Sequence, residues 1–279
     1  MRAQNLSVCV PDTGCDKDCP YCVSRMTGKL ATHRELMQAN LPKVLNLARM
    51  AGVSSVLLTG KGEPCRDLDD AIWLLDAFAH LPVELQTNGL RLIRRFERDP
   101  GVGDLERLSQ RGLNVLAFSL DGLEQFGRMA PLFARAVELG LVVRVTFNLT
   151  DRLPQDTGLD AFLDACRSSG VQQFSLRQVT VPNDVALSTP EAVQTAAWIR
   201  EHVDPALYTR LVEDLTARKP RLIRRLPYGA VVYDLAGIAV SHFDYCVQDD
   251  HGPDDIRSLI FQEDGHLYTA WNAPASILF

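Results

Sequence analysis

Short apolar runs alternate with longer amphipathic stretches along most of the chain. Six runs that are rich in apolar and β-branched residues predict strands at residues 6–10, 54–59, 83–87, 114–120, 141–149 and 172–181. The stretches between these runs have the length and the apolar spacing of helices. This alternation predicts six βα units arranged in a parallel sheet.

One of the intervening stretches carries a complete helical pattern. Thr32 and Glu35 have the spacing of a capping box at the start of a helix over residues 33–51. Apolar residues then recur at helical spacing and predict a stripe that faces the core: Met37, Leu41, Val44, Leu45 and Ala48.

The pattern changes after residue 185. A helix is predicted to begin at Ser188 or Thr189, with Pro190 in its first turn. The basic stretch 218–225 that follows is typical of a solvated helix face or an interdomain linker, and an anion-binding segment is the alternative.

The end of the chain is rich in predicted strands. Apolar runs separated by turn residues predict two β-hairpins, one over residues 230–243 and one over residues 257–271. We therefore divide the chain into a core at residues 1–185 and an extension at residues 186–279. The extension is expected to seal the open side of the core and to shape a substrate site, and a dimer surface is the alternative.

Composition and charge narrow the class of protein. A chain of 279 residues with 46% hydrophobic residues can bury a substantial core. The formal net charge of −6 disfavours a nucleic acid polymer as a partner. The amino terminus lacks the apolar core of a signal peptide, and no apolar run is long enough to cross a bilayer. We expect a cytoplasmic protein without a membrane partner.

Three cysteines lie close together in a loop that follows the first predicted strand. Cys15, Cys19 and Cys22 form a C-x3-C-x2-C pattern. Three thiolates suit an iron–sulfur cubane that keeps one iron open. Zinc is an alternative that needs a distant fourth ligand, since no second Cys or His pair follows. A disulfide framework is disfavoured, because seven cysteines are spread over the whole chain.

A second motif follows the second predicted strand. The buried run at residues 56–59 leads directly into Gly60-Lys61-Gly62-Glu63-Pro64. Glycines permit a close approach of the backbone to a ligand, although turns of this kind also occur for purely steric reasons.

Together the two motifs resemble those of the radical S-adenosylmethionine (radical SAM) enzymes, in which an aromatic residue, here Tyr21, precedes the last cysteine. The resemblance implies that Cys15, Cys19 and Cys22 hold a [4Fe-4S] cluster and that S-adenosyl-L-methionine (SAM) chelates the open iron. It also implies that Gly62 and Glu63 belong to the element that receives the SAM amino group. Lys61 departs from the commonest Gly-Gly-Glu-Pro form of this element.

The family fold implied by this resemblance is a partial (β/α)6 TIM-like barrel, here with a C-terminal helical and β-hairpin extension. Chemistry in such barrels gathers at the carboxyl ends of the strands. The further SAM or substrate contacts that we expect lie at or near such ends: Thr87, Asn88, Ser119, Asp121, Arg144 and Arg177. Asn-Gly and Asp-Gly are also ordinary turn residues, and an arginine in a strand also forms structural ion pairs.

Two cysteines outside the motif are candidates for donating hydrogen to a radical. Cys65 adjoins the Gly62-Glu63-Pro64 element, and Cys246 lies near several acidic residues. The alternative for both is a buried, inert thiol.

The leading hypothesis is a radical SAM enzyme that abstracts hydrogen from a small-molecule, nucleotide-like or peptide substrate, with electrons from a low-potential donor such as a flavodoxin or ferredoxin. One alternative is an activase that installs a glycyl radical on a partner enzyme. A hypothesis of another class is a non-catalytic iron–sulfur or zinc protein for binding or electron transfer.

Overall fold

The computed structural model describes residues 2–182, 185, 187–225, 230–243 and 255–279, with the backbone alone described at Asp255. Its first part consists of six strands that alternate with helices. The strands are β1 (Arg2–Cys9), β2 (Ser55–Thr59), β3 (Val83–Thr87), β4 (Leu113–Leu120), β5 (Val142–Leu149) and β6 (Gln173–Gln178). The helices are α1 (Val23–Thr27), α2 (Arg34–Met50), α3 (Leu68–Phe78), α4 (Leu90–Arg98), α5 (Asp104–Gln110), α6 (Leu123–Glu138) and α7 (Leu159–Ser169). The six strands are parallel neighbours in chain order, as predicted.

The remaining elements belong to the extension. They are α8 (Pro190–His202), α9 (Pro205–Ala217), β7 (Arg221–Arg225), β8 (Val231–Leu235), β9 (Ile238–Phe243), β10 (Asp255–Phe261), β11 (Leu267–Tyr268) and a 3₁₀ turn at Pro274–Ser276. The predicted start of α8 is confirmed, because Thr189 caps it by accepting the Ala192 N–H at 3.1 Å and Pro190 is its first residue. No helix in the described part of the chain combines the length and apolarity needed to cross a membrane.

Both predicted hairpins form, and they also extend the sheet of the core. β8 and β9 are antiparallel around Ala236 and Gly237, both of which have positive φ angles. β10 and β11 are antiparallel as well. Beyond the prediction, β9 pairs in parallel with β6, and β10 pairs in parallel with β1. The strand order among the described residues is β11-β10-β1-β2-β3-β4-β5-β6-β9-β8-β7, so the barrel is partial and open between β11 and β7.

The basic stretch 218–225 is neither a helix face nor a linker. Helix α9 ends at Ala217, Lys219 adopts a φ of 50°, and Pro220 cannot continue a helix. The chain then forms edge strand β7, antiparallel to β8, where Arg221 pairs with Asp234 at 2.9 Å. All five residues of β7 are exposed.

The predicted capping box of α2 is also wrong. The helix begins at Arg34, and His33 is its N-cap without a side-chain cap hydrogen bond. The His33 N–H instead donates to the Glu263 carbonyl at 2.8 Å, so tertiary contact with the extension sets this end of the helix. The apolar stripe is confirmed: Met37, Val44 and Ala48 are buried, and Leu41 and Leu45 pack against the core.

The two faces of the sheet differ in polarity. On β5, the side chains of Val143, Val145 and Phe147 are fully buried in the core. Arg144 and Thr146 alternate with them and line a cavity on the other face. The apolar core therefore lies between the strands and the helices, and the inner face of the barrel is polar.

Candidate active site

The carboxyl ends of the parallel strands meet at one rim, where the loops that follow them enclose a cavity of about 210 Å³. The loop between β1 and α1 carries Cys15, Cys19 and Cys22, and all three cysteines line this cavity. We call it the cysteine cavity. The loops after β2 and β3 form its neighbouring walls, so the two sequence motifs come together in space.

The three cysteines are free thiols in the structure. Cys15 is exposed, whereas Cys19 and Cys22 are partly buried, and the Cys22 N–H donates to the Cys19 carbonyl at 3.1 Å. Burial raises the pKa of Cys15 and raises that of Cys19 to about 11. A metal centre that binds these residues as thiolates therefore has to displace their protons.

The three thiols of the cysteine cavity can serve as ligands of an iron–sulfur cluster. Within the described ranges, no three His, Cys, Asp or Glu side chains converge as the ligands of one ion do. The ligands of a [4Fe-4S] cluster do not have to converge on one atom, because each cysteine binds a different iron. Three thiols that line one cavity therefore fit a cluster that takes three cysteine ligands and keeps one iron open.

Glu63 ties the loop after β2 to the end of β3. Its Oε1 accepts the Cys65 N–H at 2.9 Å and the Thr87 hydroxyl at 2.5 Å, and its Oε2 accepts the Asn88 N–H at 2.8 Å. Burial raises the pKa of Glu63, although these three hydrogen bonds favour the carboxylate. The Glu63 side chain therefore holds two loops of the rim in register with each other.

Asn88 extends this connection to the cysteine loop. Its Nδ2 lies 3.5 Å from the Cys15 sulfur and 3.2 Å from Asp16 Oδ1. Its Oδ1 accepts the Leu90 N–H at 2.8 Å at the start of α4. One amide thus links the end of β3, the helix that follows it and the loop that carries the cysteines.

The two glycines of the second motif occupy different environments. A Cβ on Gly62 would lie 2.0 Å from Asp12 Oδ1 and 2.7 Å from the Gly14 carbonyl oxygen. A Cβ on Gly60 would meet its nearest atom, the Val10 carbonyl oxygen, at 3.5 Å. Close packing of the two loops thus requires glycine at position 62 and tolerates a side chain at position 60.

Asp121 lies beneath the cysteine loop and is only 1% exposed. It accepts a hydrogen bond from the Tyr21 hydroxyl and pairs with Lys17 at 2.8 Å and with Arg152 at 3.1 Å. Burial acts to raise the pKa of Asp121, but Lys17 and the hydrogen bonds outweigh it, so the pKa lies below its usual value. Burial and Asp121 raise the pKa of Tyr21, which therefore remains a hydrogen-bond donor.

The extension supports the same loop from the other side. The Tyr21 ring packs against Trp198 of α8, with 5.6 Å between ring centroids. Tyr21 also belongs to a small apolar cluster with Met26, Val179 and Ile199, apart from the main core. The aromatic residue of the motif therefore joins the core to the extension.

Most of the predicted site residues line the cysteine cavity: Cys15, Cys19, Tyr21, Cys22, Gly62, Glu63, Thr87, Asn88, Ser119 and Arg177. Asp121 does not line it but supports Tyr21 and Lys17 from below. Ser119 accepts a hydrogen bond from Asn148 Nδ2 at 3.0 Å.

The structure does not bring Arg144 or Cys65 to the cysteine cavity. Arg144 forms an ion pair with Glu84 and donates to Gln173 Oε1 at 2.9 Å, deeper inside the barrel. Cys65 is 1% exposed and belongs to the apolar core, where burial raises its pKa well above the usual value. Cys246 lies outside the described residues.

Sequence reasoning missed several residues of the cavity wall. Lys17, Thr59, Gln86 and Asn148 line it as well. Gln86 and Asn148 lie at strand ends, which is the signal that identified Thr87 and Ser119. Lys17 had no distinguishing signal, because a lysine in a loop is ordinarily solvated.

Comparison with known proteins gives matches in fold. No protein-family model matches the chain, and no curated protein matches its sequence. Streptococcus suis SuiB bound to the precursor peptide SuiA matches with a TM-score of 0.62 and 16% identity, over 95% of this chain and 59% of that chain. SuiB bound to S-adenosylmethionine matches with a TM-score of 0.59 and 16% identity, over 95% and 60% of the two chains. Native anSMEcpe with bound AdoMet matches with a TM-score of 0.53 and 14% identity, over 97% and 75%.

Two of these three structures contain bound S-adenosylmethionine. The chain spans about 60% of the length of SuiB. At these identities the comparison establishes the fold, and it agrees with the family resemblance drawn from the two motifs. The comparison therefore confirms the predicted α/β fold with a partial barrel, which the chain shares with SuiB and anSMEcpe.

Proposed function

We propose that this protein is a radical SAM enzyme, in which Cys15, Cys19 and Cys22 hold a [4Fe-4S] cluster and SAM lies in the cysteine cavity. The observation that carries the proposal is that the three thiols line the same cavity as Gly62 and Glu63, at the carboxyl ends of the strands. When bound, the two groups supply one-electron cleavage of the SAM sulfonium and a 5′-deoxyadenosyl radical that abstracts hydrogen from the substrate.

The residues of the chain have distinct parts in this proposal. Gly62 lets the loop after β2 pack against the cysteine loop, and Glu63 fixes this loop, whose backbone receives the amino group of SAM. Asp121 and Tyr21 hold the cysteine loop on the rim. Arg177, Asn88 and Ser119 line the cavity with groups that hydrogen-bond a carboxylate or a ribose. The electron comes from a low-potential donor such as a flavodoxin or ferredoxin.

The substrate is a peptide, a small molecule or a nucleotide-like molecule. The structure of SuiB with its precursor peptide supports a peptide. Because this chain spans only part of SuiB, the support is for the kind of substrate and not for one reaction.

Anaerobic reconstitution with iron and sulfide tests the proposal. We expect about four irons and four sulfides per chain and, after reduction, release of methionine and 5′-deoxyadenosine from SAM. Replacement of all three motif cysteines by alanine should abolish both. Cys166→Ala is the matched control, because Cys166 is fully buried in the core away from the cysteine cavity, and it should retain both.

Two outcomes would contradict the proposal. SAM cleavage that persists in the triple variant would exclude the three thiols as the cluster ligands. Isolation of the wild-type protein with one zinc, no sulfide and no SAM binding would favour the non-catalytic zinc protein.

A further inference from the structure

Helix α4 begins beside the cysteine loop. The N–H of Leu90, its first residue, donates to Asn88 Oδ1 at 2.8 Å, and Asn88 Nδ2 lies 3.5 Å from the Cys15 sulfur. Cys15 is exposed, whereas Cys19 and Cys22 are partly buried. The nine residues of α4 extend only about 13 Å from this contact, because an α-helix rises about 1.5 Å per residue. The outer surface of α4 therefore lies close to the most accessible of the three thiols.

The outer surface of α4 is rich in arginine. Leu92 and Ile93 are buried in the core, whereas Arg91, Arg94 and Arg98 are exposed. Their spacing of three and four residues places these three side chains on one face of the helix. We call them the arginine face. The helix has four arginines and one glutamate among its nine residues, although the net charge of the whole chain is −6.

Acidic side chains offset part of this charge. Arg94 pairs with Asp16 of the cysteine loop at 3.3 Å, which also connects the arginine face to that loop. The remaining arginine of the helix pairs with Asp104 at 2.7 Å, and the glutamate of the helix pairs with an arginine of α6 at 2.7 Å. Asp104 also interacts electrostatically with Arg91, but it is only 4% exposed. Each of these acidic groups is matched by an arginine, so the exposed guanidinium groups of Arg91 and Arg98 leave the surface of α4 positively charged.

We propose that the arginine face is the docking site for a small acidic electron-transfer protein that reduces the cluster. The proposal rests on the proposed function, which requires one electron from a donor. In this step the reduced flavin or iron–sulfur group of the donor loses one electron and the oxidised cluster gains it, without formation or cleavage of a bond.

Charge and position both favour this partner. An acidic patch on the donor is attracted to the arginine face, which speeds the encounter and disfavours partners of the wrong charge. Complexes for electron transfer are typically small, with less than about 1,200 Å² of buried surface, so a short helix and the loop beside it offer enough area. Because electron transfer weakens steeply with distance, the donor has to dock where the cluster lies nearest to solvent, and the exposure of Cys15 indicates that this is beside α4.

Binding of a flavodoxin, the acidic donor used as the probe, tests the proposal on the reconstituted protein with SAM and without reductant. We expect binding in calorimetry at low ionic strength, and binding that is about tenfold weaker at high ionic strength. Arg91→Gln together with Arg98→Gln should weaken the binding at low ionic strength about tenfold. Arg91→Glu together with Arg98→Glu should weaken it further, because like charges then meet.

Arg49→Gln is the matched control for these variants. Arg49 is an exposed arginine at the end of α2, where the chain leads into the amino end of β2. This is the end of the barrel opposite to the cysteine cavity, which lies at the carboxyl ends of the strands. The replacement should leave the binding of flavodoxin unchanged at both ionic strengths.

Cleavage of SAM separates the docking from the proposed function. With reduced flavodoxin at a limiting concentration, the variant with both Arg91→Gln and Arg98→Gln should release 5′-deoxyadenosine about tenfold more slowly than the wild type. With methyl viologen reduced by dithionite, a small reductant that needs no docking site, the two proteins should be equally fast. Lack of cleavage by the wild type with both reductants would contradict the proposed function, irrespective of how flavodoxin binds.

Three results would overturn the docking proposal. The first is that flavodoxin does not bind the wild type at low ionic strength, or binds it equally well at high ionic strength, which needs no variant to fold. The second is that the folded variant with both glutamines binds flavodoxin as the wild type does. The third is that a single-stranded RNA oligonucleotide binds the wild type more tightly than flavodoxin and loses affinity in this variant, which would assign the arginine face to a nucleic acid.

Discussion

The cysteine cavity shares a wall with a second cavity of about 270 Å³ inside the barrel, which we call the inner cavity, but the two contain different polar groups. Two buried carboxylates, Glu63 and Asp121, hold the walls of the cysteine cavity, and their partners are backbone N–H groups, hydroxyls and cations of the protein itself. The inner cavity is lined by Lys61, Arg177 and Arg257, and no Asp or Glu is among the described residues that line it.

This difference indicates that the carboxylates of the cysteine cavity hold its loops in position. The carboxylates at the cysteine cavity find their partners within the protein, so that its loops are fixed before a cofactor binds. Substitutions there should lower the stability of the protein and its loading with cofactor together. Substitutions of residues deeper in the barrel should leave loading intact, and the predictions below test this contrast.

The largest effect is expected for Gly62→Ala. The added Cβ would lie 2.0 Å from Asp12 Oδ1, which accepts the Gly14 N–H at 2.7 Å. The other oxygen of Asp12, Oδ2, accepts from Lys29 Nζ at 2.7 Å, so the neighbouring loop cannot move aside easily. We expect a loss of about 3 kcal/mol in the free energy of unfolding. Urea denaturation gives this value, and the iron content after reconstitution should fall with it.

Gly60→Ala is the matched control, two residues away in the same motif. Its Cβ would make only ordinary contacts, the nearest at 3.5 Å, and the free energy of unfolding should change by less than about 1 kcal/mol. Equal losses in the two variants would show that the motif needs glycine for backbone freedom and not for the close approach of the two loops.

A smaller loss is expected for Asp121→Asn. The substitution removes the charge that pairs with Lys17 and Arg152 and weakens the hydrogen bond from Tyr21. Since the side chain of Arg152 is 45% exposed, solvent compensates part of the loss, and we expect about 2 kcal/mol. The iron content after reconstitution should fall because the cysteine loop is less well held.

Asp104→Asn provides the comparison outside the cavities. Asp104 is 4% exposed and pairs with Arg95 at 2.7 Å, so this variant also loses an ion pair of a buried carboxylate, and it should load iron as the wild type does. Equal iron loss in both variants would mean that general instability, and not the position of the cysteine loop, controls loading.

The contributions of Asp121 and Asp104 to the stability of the protein should also change with pH in opposite directions. The pKa of Asp121 is lowered in the folded protein, so its stabilisation is present above the usual pKa and is lost as the pH falls through the folded value. Burial raises the pKa of Asp104, so its contribution is larger at low pH and declines as the pH rises. Urea denaturation of each variant and the wild type between pH 7 and pH 3 measures both trends.

The sequence predicts the strands of the core well because each is a nearly continuous apolar run, and parallel pairing then follows from the helices between them. It also indicates that Thr87, Asn88 and Ser119 lie near the cysteines, since the carboxyl ends of parallel strands meet at one rim. All three line the cysteine cavity. The parallel pairing of β10 with β1 could not be predicted in this way. A hairpin pattern specifies only local partners, whereas Arg2 and Asp255 lie at opposite ends of the chain.

The sequence also does not specify how deep inside the barrel a given residue of a strand lies. The alternation along β5 places Arg144 and Asn148 on the same inner face of the strand. At about 3.3 Å per residue, however, four residues separate them by about 13 Å along the strand. Asn148 therefore lines the cysteine cavity, whereas Arg144 lies deeper, beside Glu84. The role of Lys17 could not be predicted from the sequence either, because it depends on Asp121, a partner that only the fold brings near.

The smallest effect is expected for Arg144→Gln. This variant tests whether an arginine on the inner face of the barrel affects SAM through its position along the strand or through its charge. Arg144 and Glu84 form a partly exposed ion pair, with side-chain exposures of 32% and 17%, so the loss of stability should be at most about 1 kcal/mol. Because Arg144 does not line the cysteine cavity, the concentration of SAM that gives half-maximal cleavage should be unchanged. Arg177→Gln makes the same chemical change at a residue that does line it, and should raise that concentration about tenfold. An equal rise in both variants would contradict this prediction and would show that the two arginines act through the electrostatic field of the barrel interior, because direct contact with the cofactor depends on position along the strand.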